Sequence, residues 1–147
     1  MGWLRFVVIL AILSGVARAE PLRAATGYRN GHRIKLEVVD IGWATVEVKT
    51  ARAFVKMRDA AAADGVELEI WSGFRTYERQ AELYAAWRKR MGNEAAPPGY
   101  SNHQSGRALD LVVREEATWQ WLEKHARRFG FRRTVKREPW HWEYSQR

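Results

Sequence analysis

The 147-residue sequence contains no cysteine, so no disulfide can stabilise the folded chain. Burial of apolar surface, together with a metal where one is bound, must supply that stability. The sequence also lacks internal repeats, low-complexity tracts and an interdomain linker, and no run reaches the roughly 20 apolar residues of a membrane-spanning helix. Hydrophobic residues nevertheless make up 46% of the chain and include eight tryptophans, which is enough to fill the core of one globular domain.

The N-terminal residues have the pattern of a signal peptide. Arg5 precedes an apolar run over residues 6–16, and Ala17-Arg18-Ala19 is the small-x-small pattern that signal peptidase cleaves. We therefore predict a signal peptide over residues 1–19 and a periplasmic or secreted mature chain that begins near Glu20. An uncleaved anchor is the alternative, but the apolar run is short for a membrane span.

The net charge of +8 favours polyanionic partners. Nucleic acid and anionic polymers of the cell envelope both fit this charge. The predicted export and the absence of any recognisable nucleic-acid-reading motif oppose a nucleic-acid binder. We therefore expect no nucleic-acid partner, no transmembrane helix in the mature chain and a monomeric protein.

Periodicity in the sequence predicts a single α+β domain with a largely antiparallel sheet and about three helices. A polar lead-in over residues 20–33 is expected to be only partly ordered, and the main folded domain follows over residues 34–147. The predicted strands cover residues 34–49 (a hairpin that breaks near Gly42), 66–71, 106–113, 131–135 and 140–144. The predicted helices cover residues 51–64 (capped by Thr50 and ended by Gly65), 77–91 (capped by Thr76) and 115–129 (ended by Gly130).

Two of the four histidines have unusual neighbours, His103 in SNHQSGRALD and His141 in EPWHWEY. Asp110 follows His103 by seven residues and lies on a predicted apolar strand, where its carboxylate would be costly to bury without a cation. Two imidazoles and one carboxylate give zinc three protein ligands and leave a fourth position for water, as in catalytic sites. The sequence thus predicts a zinc site.

A base that takes the proton of the water must lie close to such a site. Glu138, three residues before His141, is the first candidate and Glu143 is the rival. On a strand through residues 140–144, His141 and Glu143 share one face, while Trp140, Trp142 and Tyr144 share the other and are expected to pack into the core. Glu143 could then orient an imidazole as an outer partner.

The sequence resembles the VanY-type D-alanyl-D-alanine carboxypeptidases, a group of zinc peptidases that shares its fold with hedgehog signalling domains. The resemblance rests on SGFR at residues 72–75 with Tyr77 and Gln80 after it, GYSNHQSGRALD at residues 99–110, WLEKHARRFGF at residues 121–131 and EPWHWEY at residues 138–144. The S-x-H-x-x-G-x-A-x-D element followed by E-x-W-H is a specific signal.

The resemblance implies one Zn²⁺ ion bound by His103, Asp110 and His141, with Glu138 as general base. It further implies that Arg75 contacts the scissile carbonyl or its oxyanion. Weaker candidates for substrate contacts are Ser101 and Gln80.

The substrate that the resemblance implies is the stem peptide of peptidoglycan, from which the terminal D-alanine would be removed. Sister groups of the same fold cut between L-alanine and D-glutamate, so an endopeptidase is the nearest alternative. A non-catalytic wall-binding module that keeps its zinc is another, because fold alone does not fix function.

Overall fold

A computed structural model describes residues 21–145 of the chain, so the predicted signal peptide lies outside the described residues. The described part forms a single α+β domain with three α-helices and two antiparallel sheets, which confirms the predicted class with two sheets in place of one. The elements in chain order are β1 (Arg23–Arg29), β2 (His32–Ile41), β3 (Ala44–Glu47), α1 (Val48–Ala63), β4 (Ile70–Ser72), α2 (Tyr77–Arg88), β5 (Ala108–Leu111), α3 (Glu116–His125), a 3-10 helix (Ala126–Phe129), β6 (Phe131–Arg132) and β7 (His141–Tyr144).

The first sheet has the order β1-β2-β3 and includes the predicted hairpin that breaks near Gly42. The expectation of a partly ordered lead-in over residues 20–33 is wrong in its secondary structure, because β1 pairs with β2 along its whole length. The two strands meet at Asn30-Gly31, where both residues have positive φ angles of 51° and 80°. Asn-Gly is the preferred sequence of such a two-residue hairpin turn.

Helix α1 begins at Val48, three residues before the predicted start at residue 51, and its N-cap is Glu47 instead of Thr50. The Glu47 side chain accepts a hydrogen bond from the Thr50 backbone N–H at 2.9 Å. The Thr50 hydroxyl lies 2.7 Å from the Gly106 carbonyl, to which it donates, and 3.1 Å from the Glu47 carboxylate, so it links the start of the helix to a distant loop. Thr76 does cap α2 as predicted, since its hydroxyl accepts from the Arg79 backbone N–H.

The second sheet has the order β4-β5-β7-β6, with every neighbouring pair antiparallel. Its strands are shorter than predicted. The strand expected over residues 66–71 starts only at Ile70, and a single further backbone hydrogen bond, from the Val112 N–H to the Glu69 carbonyl at 2.9 Å, lies before it.

The core lies on one face of this second sheet. Side chains from α1, α3 and the strands close over that face, among them Phe54, Met57, Leu109, Leu122 and Trp142, each at most 2% exposed. Helix α2 buries only Gln80 and lies on the opposite side, over a cleft. No helix in the range 21–145 is long and apolar enough to cross a membrane.

The close approach of the segment after β4 to β3 gives a test of the fold. A Cβ atom at Gly73 would overlap the Thr45 carbonyl oxygen, which also accepts the Phe74 backbone N–H at 2.7 Å. We expect Gly73→Ala to lower the free energy of unfolding by about 1–3 kcal/mol, as other overpacked sites do. The melting temperature should fall by roughly 4–10 °C in calorimetry.

Gly92→Ala is the matched control, because Gly92 is exposed and the atom nearest to an added Cβ, the Ala86 Cβ, lies 3.3 Å away. It should melt close to the unsubstituted protein. An unchanged melting temperature for Gly73→Ala would contradict the packing described.

Candidate metal and active site

The register of two strands brings Asp110 and His141 together. These residues lie directly opposite each other in the β5–β7 pair, on the sheet face opposite to the core. Glu143 lies two residues beyond His141 on the same face, and their side chains are in contact, as the alternation predicts. Trp142 is buried as expected, whereas Trp140 is 42% exposed and lines the cleft, so the expected core position of Trp140 is wrong.

His103 reaches the same place from the loop between α2 and β5. Its side chain is buried, and its backbone carbonyl accepts the Arg75 N–H at 3.1 Å. The backbone carbonyl of the next residue, Gln104, accepts a hydrogen bond from the backbone N–H of Tyr28 on β1 at 2.9 Å. Two distant segments therefore hold the backbone on which His103 depends.

The three predicted ligands converge. Oδ1 of Asp110 lies 3.3 Å from Nε2 of His103 and 3.1 Å from Nδ1 of His141. One ligand atom from each residue lies within 4.8 Å of the other two, and within the described range this is the single such group of three or more side chains. The predicted grouping of these residues is thus present, although their role as ligands stays a prediction.

The hydrogen bonds around the cluster fit a metal ion. Nδ1 of His103 donates to the Gly73 carbonyl at 2.8 Å, and Nε2 of His141 donates to Glu143 at 3.1 Å. With one nitrogen of each ring engaged in this way, the other nitrogen of each ring points towards Asp110. Metal-binding histidines are commonly oriented by such partners, so the donor set suits a divalent cation such as zinc.

The electrostatics of the cluster also favour a cation. Burial alone would raise the pKa of Asp110, but the hydrogen bonds with His103 and His141 outweigh it and hold that pKa well below its usual range. Burial lowers the pKa of His141, whereas the hydrogen bonds to Asp110 and Glu143 raise it to about 9. A cation that binds this imidazole at neutral pH therefore displaces a proton.

The two candidate glutamates have different surroundings. Glu143 accepts hydrogen bonds from His141, from the Thr134 hydroxyl at 2.6 Å and from the Asn102 amide at 2.9 Å. Burial raises the pKa of Glu143, but these three donors lower it to about 2. The Glu138 carboxylate lies 3.8 Å from Nδ1 of His141 and lines the cleft. The contributions of Asn102 and Thr134 are not predicted from the sequence, although Asn102 lies within the GYSNHQSGRALD motif.

Arg75 lies beside the cluster, and Gln80 fixes its direction. Its guanidinium donates to Oε1 of Gln80 at 2.9 Å and lies 3.8 Å from Oδ2 of Asp110. Burial lowers the pKa of Arg75, and the charge of Asp110 opposes that effect. Nε2 of Gln80 donates to the Ala96 carbonyl at 2.7 Å, so both ends of this buried amide are engaged.

Ser101 completes the set of predicted site residues. It is buried, and its Oγ accepts the His103 backbone N–H at 3.3 Å. All of the predicted residues line one open cleft of about 1070 Å³ that runs between α2 and the end of β5. Water and an extended peptide can therefore reach the cluster.

Comparison with known proteins agrees with this geometry. Residues 44–147 match the family model "VanY: D-alanyl-D-alanine carboxypeptidase". The chain is 30% identical over 128 residues to a D-alanyl-D-alanine carboxypeptidase of Enterococcus faecalis, a match that covers 67% of this chain and 48% of the relative. The chain thus spans about half the length of this curated relative.

Two solved structures share the fold. VanYB in complex with D-Alanine-D-Alanine has a TM-score of 0.65 and 28% identity, over 76% of this chain and 78% of that one. A variant of the vancomycin-resistance D,D-pentapeptidase VanY in complex with Zn(II) has a TM-score of 0.62 and 27% identity, over 74% and 78% of the two chains. The chain belongs to the VanY family of D-alanyl-D-alanine carboxypeptidases.

The contact between Glu143 and His141 can be tested by metal affinity. Glu143→Ala removes the acceptor that orients the imidazole, and the loss of such a partner commonly weakens metal binding by about 10–100-fold. We expect that decrease for Zn²⁺ in a competition titration against a chelating dye. Glu94→Ala is the control, since Glu94 lines the same cleft away from the histidines. Equal Zn²⁺ affinities for both variants would show that Glu143 does not orient His141.

Proposed function

We propose that the protein is an exported zinc peptidase that removes the terminal D-alanine from the stem peptides of peptidoglycan. The observation that carries the proposal is the convergence of His103, Asp110 and His141 in an open cleft with Glu138 and Arg75 beside them. Family membership supports the reaction, and the zinc complex of a related VanY protein supports the metal. We propose export on the signal-peptide pattern of residues 1–19, and we propose a monomer with one zinc ion.

The metal would be held by Nε2 of His103, a carboxylate oxygen of Asp110 and Nδ1 of His141. A zinc ion at this position supplies Lewis acidity, which polarises a peptide carbonyl and acidifies water. The chain's own residues must then move the proton and stabilise the charge that develops on the carbonyl oxygen.

Glu138 is the proposed general base. Its carboxylate faces the cleft beside the cluster, and it accepts no hydrogen bond from the described residues. It is therefore free to take a proton from the attacking water and to give it to the leaving amine. Both transfers need one carboxylate that reaches either side of the scissile bond.

Arg75 is the proposed partner of the carbonyl oxygen. A guanidinium keeps its charge at every relevant pH and offers donors in a fixed plane, which suits an oxyanion. Gln80 holds this plane in place, so we propose that Gln80 acts on the substrate through Arg75. The Ser101 hydroxyl accepts a backbone N–H and keeps its own hydrogen available for a substrate carbonyl or carboxylate.

The role of Glu138 predicts a loss of turnover without a loss of metal. Glu138→Gln keeps the shape of the side chain and removes its basicity, so kcat should fall by about 10²–10⁴. Zinc content, measured by mass spectrometry of the metal, should stay at the level of the unsubstituted protein. If the unsubstituted zinc-loaded protein hydrolyses no stem peptide and the substitution alters only binding, the protein is a binding module.

The bond that is cut can be identified by digestion of purified muropeptides followed by mass analysis. We expect pentapeptide stems to lose the mass of one D-alanine residue. Release of L-alanine at the N-terminal side of D-glutamate would instead establish the endopeptidase alternative. Inactivation by a chelator and recovery with Zn²⁺ is the control that assigns either product to the metal site.

A further inference from the structure

One end of the cleft has a composition that the proposed reaction does not explain. Beyond the metal cluster, at the end of β5, the cleft is lined by Trp71, Val112, Arg114, Val135 and Trp140. We call this set the β5 end. Both indoles are unusually accessible, with Trp71 69% and Trp140 42% exposed.

The sheet order places the two tryptophans on either side of the segment that carries Arg114. Trp71 belongs to β4 and Trp140 directly precedes β7, and these two strands flank β5. The Trp140 carbonyl accepts the Leu111 backbone N–H at 2.9 Å, which fixes Trp140 against the last residue of β5. Arg114 follows three residues later.

Arg114 is a charged group without a partner among the described residues. The described part of the chain offers its side chain neither a hydrogen-bond acceptor nor an ion pair, and no other residue of the β5 end is charged. The α2 end of the cleft is different, because Arg79 is paired with Glu82 there and Glu94 also lines the wall. Arg114 therefore attracts an anionic group of a bound peptide, and Glu94 at the other end repels it. The acidic residues between the two ends, Asp110, Glu138 and Glu143, belong to the cluster that the proposed reaction uses.

We propose that Arg114 binds a side-chain carboxylate of the stem peptide on the acyl side of the scissile bond, with Trp71 and Trp140 packing against its aliphatic part. The proposal rests on the proposed function, because it assumes a stem peptide in the cleft. Two groups of such a peptide have this chemistry: the free α-carboxylate of a γ-linked D-glutamate at position two, and the side-chain carboxylate of meso-diaminopimelate at position three.

The distances are compatible with either source. Arg114 lies four positions after Asp110, so at most about 14 Å of extended backbone lies between them. An extended peptide advances by about 3.3–3.6 Å per residue. Positions two and three of a pentapeptide therefore lie within roughly 11 Å of the bond between positions four and five, which is less than the 14 Å limit for Arg114. A carboxylate at either position can therefore reach the β5 end while the scissile bond lies at the metal cluster.

The test compares Arg114→Gln with the unsubstituted protein on four synthetic pentapeptides that end in D-alanyl-D-alanine. They carry D-glutamate or its α-amide at position two, combined with meso-diaminopimelate or L-lysine at position three. We expect the preference in kcat/KM for the carboxylate-bearing peptide over its neutral or cationic counterpart to fall about three- to tenfold, through KM, since ion pairs near solvent are weak. The position at which the preference falls identifies the carboxylate.

Matched controls remove similar groups outside the cleft. Arg127→Gln neutralises an exposed arginine of the 3-10 helix, and Leu22→Ala removes an apolar side chain that is 55% exposed. Both should keep the preference of the unsubstituted protein, whereas Trp71→Ala should reduce it. An equal loss on all four peptides with Arg114→Gln would mean that Arg114 binds a group common to all of them, such as the terminal carboxylate, and would overturn the proposal.

Failure of the proposed function gives a distinguishable result. If the zinc-loaded protein releases D-alanine from none of the four peptides, their dissociation constants, measured by calorimetry, replace the kinetic values. A preference in binding that Arg114→Gln reduces about three- to tenfold then supports the β5 end on its own. Equal dissociation constants for the four peptides would overturn it.

Discussion

The structure is organised around a carboxylate that is held between two imidazoles on a largely buried sheet face. An isolated charge at the position of Asp110 would be costly, and the hydrogen bonds with His103 and His141 remove that cost. These contacts require the register in which Asp110 lies opposite His141, because a slip by one residue would turn one of them into the core. The cluster therefore constrains the pairing register of the short strands β5 and β7 more than their length does.

The loop that carries His103 depends on a part of the chain outside the family match. β1 and β2 precede residue 44, where that match begins. The Gly31 backbone N–H nevertheless donates to the Gly99 carbonyl at 2.9 Å, at the start of the loop, and Tyr28 donates to Gln104 just after His103. The Thr50 hydroxyl holds the end of the same loop at Gly106. The N-terminal sheet thus supports the cluster of His103, Asp110 and His141, so a shift of the hairpin would displace His103.

Sequence patterns predict this site better than they predict the ends of the strands. Ligand types and motif spacing are local, and they are enough to group His103, Asp110 and His141. They do not predict β1, because the polar composition of residues 20–33 outweighs Asn30-Gly31, although that dipeptide is a strong hairpin signal. They give helix α1 the wrong N-cap, because nothing in the sequence near Thr50 indicates that its hydroxyl donates to the distant Gly106 carbonyl. The hydrogen bond from His103 to the Gly73 carbonyl cannot be predicted either, because every residue type has a backbone carbonyl.

The two glutamates that lie close to His141 in sequence have different surroundings. Glu143 receives hydrogen bonds from three side chains that lower its pKa to about 2, so it keeps its charge at neutral pH and orients an imidazole. A group with so low a pKa is a poor proton acceptor, because general-base catalysis is most effective when the pKa lies near the working pH. Glu138 has a cleft-facing carboxylate that no described donor occupies. These surroundings support the proposed division of tasks, in which Glu143 orients the histidine and Glu138 exchanges a proton.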